Sequence, residues 1–352
     1  MSSDVSTGSD SVSTRSDGVS DGGDSATAGQ PAGTSRLSDA ALQSDGMRRL
    51  RSAGIVIPFL ILFITLTISS SSFATKSNLL NILDQQSATL IIAAAGTLVL
   101  VSGGIDLSVG AVYTLAAVTA AELAQHMAPA PAILIGIAVG LVVGVINGVV
   151  ATFFRINALI ATLAMSFVIG GLASLITHGN LVVLFNHPGY GDLARTDVLT
   201  VKSSIWIMLL AVIVLGLFLA RTTVGRYMYA TGGNREAARI AGIRVNLVRV
   251  VAFALSGGAA ALAGVIDSSR VLSAQSTTDN TLTFTVLAGI VVGGTSILGG
   301  EGAVWRTVVG VLFIALIGNG YDLLGLNPLY EQITLGAIMI LAVGIDAWAR
   351  KR

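Results

Sequence analysis

GTLVLVSGGIDLSVGAVYTL, residues 96–115, decides how the rest of the chain is read. The stretch is apolar enough for a buried helix, yet Gly103, Gly104, Asp106 and Ser108 interrupt it before Gly110. An ionised carboxylate between two apolar halves is expensive in hydrocarbon and tends to be paired or functional. A plainer reading makes Asp106 or Ser108 the N-cap of the next helix, accepting backbone N–H groups where the previous helix ends. The two readings are compatible, and both predict a helix broken at Gly103-Gly104.

The composition around this stretch places it in a membrane. The 352 residues have a mean hydropathy of +0.82. They are 53% hydrophobic and only 11% charged, against about 25% charged in soluble domains. Gly is abundant at 41 residues, as suits helices that pack closely in lipid. The chain has no Cys, which excludes disulfides, thiolate nucleophiles and Cys-ligated metals. His126, His178 and His187 are the only histidines, and no metal-binding or nucleophile–base spacing appears. A net charge of +1 offers nucleic acid no global field. None of Lys76, Lys202 and Lys351 follows a Gly, so the chain has no Walker A motif and no nucleotide chemistry of that type.

Residues 1–46 differ sharply from the remainder. They are rich in Ser, Thr, Gly and Asp and poor in apolar groups, with seven Asp against Arg15 and Arg36. Such a segment cannot bury enough surface to offset its chain entropy, so a disordered polar cytoplasmic tail is expected. Residues 47–352 read as the membrane domain. A span needs about 20 mostly apolar residues. Ten segments are expected to cross: 54–73, 86–102, 106–124, 131–153, 157–177, 204–220, 248–268, 283–298, 303–320 and 331–348. The first also has the outline of a signal peptide, but the long polar leader and the charge count favour an uncleaved span. With both termini cytoplasmic, fourteen cationic residues fall inside and four outside (Lys76, Arg195, Lys202, Arg270), as the positive-inside rule asks.

Two further segments carry information. In residues 222–247, Asn234 is placed to cap a short helix starting Arg235-Glu236-Ala237-Ala238, and Gly242 to end it. A short helix in a basic cytoplasmic loop fits a groove on another protein or the membrane surface. In residues 286–312, Gly293-Gly294 and Gly299-Gly300 break a second apolar run, followed by Gly302-Ala303-Val304-Trp305. This echoes Gly110-Ala111-Val112-Tyr113 after the first break. Matched broken segments point to a transport path built from repeats. Gly pairs also serve close helix packing alone.

Six strings are similar to the permease subunits of bacterial ATP-binding-cassette importers of the ribose/xylose/galactoside type. They are GGIDLSVG (103–110), NGVVATFFRINALIATLAM (147–165), GRYMYATGGNREAARIAGIRV (225–245), SSRVLSAQS (268–276), VVGGTSILGGEG (291–302) and NGYDLLGL (319–326). The resemblance implies an all-α polytopic permease of about ten helices in the plasma membrane of a bacterium. It implies a second permease copy or a paralogue, a cytoplasmic ATPase that holds the ATP and Mg, an extracytoplasmic solute-binding protein, and a small polar solute, a sugar by class. No catalytic residue, cofactor or metal is expected on this chain.

On the resemblance, Gly225, Arg226, Gly233, Asn234, Glu236, Ala237, Ala238 and Gly242 belong to the segment that couples to the ATPase. Asn147, Asn157, Arg270, Gln275 and Asn319 are candidates to line the substrate path, each with an interhelical hydrogen bond as the bland alternative. Gly103, Gly104, Asp106, Gly110, Gly293, Gly294, Gly299 and Gly300 are the structural or gating positions. The chain departs from the ribose-type pattern at Thr283-Phe284-Thr285, where an acidic pair is usual, and this leaves the solute's identity open. The competing reading is an ion-coupled transporter using Asp106, Asp267 or Asp322 as intramembrane carboxylates.

Overall fold

The computed structural model describes residues 54–350 except Arg155, Thr278, Asp279 and Pro328. The expected polar tail, the basic flank of the first span and Lys351-Arg352 lie outside the described residues. The helices are α1 Val56–Ser69, α2 Lys76–Gln85, α3 Ser87–Val101, α4 Val109–Ala124, α5 Pro129–Phe153, α6 Ala158–Thr177, α7 Asp192–Arg195, α8 Ser203–Arg221, α9 Thr223–Gly233, α10 Arg235–Ile240, α11 Val245–Val271, α12 Asn280–Val292, α13 Val304–Leu323 and α14 Leu329–Arg350. Four two-residue strands, β1 Val182–Val183, β2 Asp197–Val198, β3 Val201–Lys202 and β4 Ser273–Ala274, form two short antiparallel ladders in the connections.

Among the described residues, five helices (α5, α6, α8, α11 and α13) are long and apolar enough to cross a membrane. The bent pair α2 and α3, with 51° between its halves, is long and apolar enough only when its two parts are counted together. The other expected spans fall on shorter apolar helices, α1, α4, α12 and the first part of α14. The expected span 283–298 is therefore corrected: its helix ends at Val292, and residues 293–303 turn back on themselves. The expected span 106–124 likewise starts only at Val109.

All fifteen residues of α3 are buried, so its uniformly apolar sequence marks a central helix. It packs against α8, α11, α12 and α13. The outer helices show the opposite pattern. Phe167 on α6 is 75% exposed, and Leu134, Leu175 and Leu210 also turn outward, an apolar coat that only lipid or another membrane chain can cover. The α5–α11 contact is made on Gly136, Gly140, Gly144 and Gly148, one per turn, with Gly136 packed more closely still on Ala116 and Ala120 of α4. A Cβ on Gly144 would lie 2.4 Å from the Phe253 carbonyl, and one on Gly140 would lie 2.3 Å from the Ala261 side chain. Backbones meet here because nothing larger fits, which is how helices gain contact where no hydrophobic effect drives them together.

Both Gly-rich breaks end their helices in the same way. Gly103 N–H donates to the Leu100 carbonyl and Gly104 N–H to that of Val99. In the second, Gly294 N–H donates to Val291 and Thr295 N–H to Ile290. Gly103 and Gly294 have φ of +77° and +81°. The pairing of an i−3 with an i−5 bond around a left-handed residue is the Schellman C-cap. The echo seen in the sequence is thus a repeat of backbone geometry.

Candidate functional site

At one end of the bundle, the two breaks and the connection between α8 and α11 converge. A Cβ on Gly232 would stand 1.9 Å from the Val101 carbonyl oxygen and 2.6 Å from Gly300 N. One on Gly299 would stand 2.9 Å from the Gly103 Cα, and one on Gly300 2.7 Å from the Gly233 Cα. Gly300 N–H donates to the Val101 carbonyl at 2.9 Å, and the Tyr229 hydroxyl donates to the Gly302 carbonyl at 2.7 Å. Three loops far apart in sequence are locked backbone to backbone.

The connection itself is built from local rules. Thr222 caps α9 by accepting from Gly225 N–H at 3.0 Å, and a Cβ at Gly225 would collide with the Leu219 carbonyl at 2.1 Å. Arg226 Nη2 donates to the Thr223 hydroxyl at 2.9 Å. Asn234 Oδ1 accepts from Ala237 N–H at 3.0 Å, the N-cap of α10. Glu236 and Arg239 pair across the exposed face at 2.6 Å, while Ala238 is buried against the body. Gly242, at φ +84°, closes α10 with another i−3 and i−5 pair, Gly242 to Arg239 and Ile243 to Ala238. Ile240 is left 80% exposed, so α10 presents an apolar tip and a charged flank to whatever lies beyond the bundle.

Asp106 occupies the first break as a fully engaged acceptor. Its Oδ1 accepts from Ser108 N–H at 3.0 Å and Ser108 Oγ at 2.6 Å, and its Oδ2 accepts from Ser256 Oγ at 2.9 Å. Asn147 Nδ2 donates to Ser108 Oγ at 2.7 Å. Ser108 is the N-cap residue of α4, but its side chain makes no cap bond, because that hydroxyl is turned to Asp106. The capping expectation is thus corrected to an Asp turn just ahead of the helix. Thr283 Oγ1 accepts from Gly110 N–H at 3.2 Å.

The opposite end holds a cavity of about 420 Å³ between α4, α11 and the residues after α11. Tyr113 donates its hydroxyl to Asp267, and Arg270 donates to the other carboxylate oxygen. Arg270 Nη1 also donates to the Asp84 carbonyl at 2.7 Å, at the bend between α2 and α3, where Ser87 Oγ donates to the same oxygen. Ser204 donates to the Asp84 carboxylate. Gln275 and Ser273 line the same cavity. Its rim is tied down by the β1–β4 ladder, Val182 opposite Ala274, and by Tyr190. Tyr190 is fully buried, its hydroxyl 2.8 Å from Ser268 Oγ. Burial pushes its phenol up to about 12 against the opposing Ser268 bond, so it keeps its proton at physiological pH.

The five path candidates separate. Gln275 lines this cavity, and Asn157 lines a larger one at the other end while capping α6 through Leu159 N–H. Asn147 is buried in the Asp106 network. Arg270 is the link between Asp267 and Asp84. Asn319 exchanges two hydrogen bonds with Asn78, at 3.0 and 3.1 Å. Sequence reasoning missed Tyr113, whose role appears only when α4 and α11 are adjacent. Of the three carboxylates of the ion-coupled reading, Asp106 and Asp267 are engaged by donors and Asp322 is exposed. Among the described residues no three His, Asp or Glu gather where a metal ion could sit.

A family model described as the permease component of the branched-chain amino acid transport system matches residues 78–343. The ribose import permease of Bacillus subtilis is 39% identical over 299 residues, 84% of this chain and 93% of that one. The ribose import permease of Escherichia coli K12 is 35% identical and covers 83% of this chain and 92% of its own length. The L-arabinose transport system permease of the same strain is 35% identical over 302 residues, 85% of this chain and 91% of its own. No solved structure matches the chain.

Proposed function

The chain belongs to the family of branched-chain amino acid transport system permease components, as the membrane permease subunit of an ATP-binding-cassette importer, and from that premise we propose that its solute is a monosaccharide. The observation that carries this is the cavity of Tyr113, Asp267 and Gln275. It gathers a carboxylate, a phenol and an amide around one polar space, group types that hydrogen-bond to sugar hydroxyls. The ribose and arabinose permeases among the relatives support the same class.

The finer arrangement follows as part of the proposal. Ten crossings, with both termini and the end carrying α10 in the cytoplasm of a bacterium, agree with the cationic bias. A solute-binding protein delivers the sugar at the Tyr113 end, and two permease copies pair through outward-turned apolar helices. A separate ATPase docks on α10, where Glu236, Arg239 and Ile240 are exposed. Closure of the ATPases moves α9 and α10. Because Gly232 and Gly233 lie against both breaks, that motion reaches α3 and α12 without slack, and the path opens alternately to the two sides.

The test is uptake of radiolabelled monosaccharides by vesicles holding the permease, its ATPase and its binding protein. Asp267→Asn is expected to cut uptake of the best sugar at least tenfold while ATP hydrolysis persists. Glu236→Lys is expected to leave the protein folded, since an exposed ion pair contributes under about 1 kcal/mol, yet to separate hydrolysis from uptake. Unchanged transport in Asp267→Asn sinks the sugar site, and coupled transport in Glu236→Lys sinks the docking assignment.

A further inference from the structure

The larger cavity, about 1070 Å³, lies beside α10 between the α5–α6 turn and the start of α11. Arg249, one turn into α11, lines it with 7% of its surface exposed. Its Nε has no hydrogen-bond partner among the described residues. Among the described residues the ion pairs join His126 to Glu122, Lys202 to Asp197, Arg239 to Glu236 and Arg270 to Asp267, and none includes Arg249. A buried guanidinium without a counter-charge is strongly destabilising. No acidic side chain among the described residues compensates it, so a ligand is a physical remedy.

The surroundings indicate which ligand. Arg235 and Arg239 line the cavity with Arg249, and the single acid there, Glu236, is already held by Arg239 at 2.6 Å. The cavity is therefore net cationic. Its other wall is apolar, including Ile156 and Leu159. Phe153, which lines its edge, and the neighbouring Phe154 and Ile160 are exposed, 60 to 69% each, on the outward apolar surface of the bundle. A cationic recess opening beside an apolar surface at a helix end matches an anionic lipid. We propose that this cavity binds the phosphate of an anionic phospholipid headgroup, with Arg249 as its buried donor and Arg235 at its mouth. A free phosphate offers the same oxygens without the acyl chains. The guanidinium fork suits phosphate oxygens.

The full-length protein is placed in nanodiscs of phosphatidylcholine alone, and its thermal midpoint is followed as phosphatidylglycerol or inorganic phosphate is added. The wild type is expected to rise by several degrees with phosphatidylglycerol, and Arg249→Met not to rise. In phosphatidylcholine alone Arg249→Met is expected to equal or exceed the wild type, because it keeps the stem and removes an uncompensated charge. A rise with inorganic phosphate alone identifies a soluble phosphate as the source and keeps the phosphate site. Equal rises in wild type and Arg249→Met, or no rise with either addition, overturn the proposal. Stabilisation that appears only with a bound ATPase also overturns it, in favour of a partner carboxylate. If Arg249→Met does not fold, Arg235→Gln, an exposed change, is expected to weaken phosphatidylglycerol binding severalfold in native mass spectrometry. Unchanged lipid retention there overturns the proposal independently.

Discussion

The breaks at 102–108 and 293–303 end their helices with the same Schellman cap but spend the following residues differently. The first fills its space with side chains: Asp106 takes three donors, and Ser108, Ser256 and Asn147 complete the set. The second fills its space with backbone: Gly293, Gly299, Gly300 and Gly302 let α13, α9 and the first break approach to contact. Of its two buried hydroxyls, Ser296 Oγ accepts from Leu298 N–H at 3.1 Å and Thr295 Oγ1 has no partner among the described residues. A side-chain network holds one geometry by direction, whereas glycine contacts hold by shape and tolerate sliding but no added atom. The first break therefore has the geometry of an anchor and the second that of a shape-matched contact with α9 and α13.

Adding one carbon is the largest test of that contrast. Gly232→Ala forces a Cβ to 1.9 Å from the Val101 carbonyl, so backbone must shift. A loss of about 3 kcal/mol or more is expected in denaturant-induced unfolding in detergent. Gly233→Ala next to it meets open space and is expected to keep wild-type stability. Equal effects of the two changes would break the shape argument.

Asp106→Ala removes a partner from Ser108 N–H, Ser108 Oγ and Ser256 Oγ together. A loss of about 2 to 3 kcal/mol is expected, with Asp106→Asn recovering most of it because one oxygen still accepts. A smaller effect comes from Asn147→Ala, about 1 kcal/mol, since one interhelical bond goes. If it matches Asp106→Ala, the network works as one unit instead of around the carboxylate. The smallest expected effect links the two repeats directly. Thr97 on α3 and Thr307 on α13 share a buried hydroxyl contact at 2.7 Å. A double-mutant cycle of Thr97→Val and Thr307→Val is expected to show a coupling of about 0.6 kcal/mol. Zero coupling would mean that the repeats are joined by glycine contacts alone.

Much of the local structure was legible. Gly pairs inside apolar runs marked both helix ends, because only Gly enters the left-handed cap without penalty. Asn234 marked the start of α10 for an equally local reason. The stripe Gly136, Gly140, Gly144, Gly148 was equally visible and was not read as the α5–α11 contact. The path candidates were harder. A polar residue in an apolar helix announces that it needs a partner, and Asn147, Arg270 and Asn319 each found one on another helix. Gln275 and Asn157 reached cavities. The residue types alone do not separate these fates.

Sequence alone determined the solvent and the segments. Hydropathy and charge require lipid around the chain, and the Gly pairs stop the helices. These are sums of nearest-neighbour effects that any window of twenty residues contains. Tertiary structure decided which segments meet: Gly232 with Val101 and Gly300, Tyr113 with Asp267, Arg270 with Asp84, and Arg249 with no ion-pair partner among the described residues. Those pairings join residues from about 70 to more than 180 positions apart. They depend on how whole helices pack, and in lipid that packing is set by shape and a few polar bonds, not by a hydrophobic pattern written along the chain.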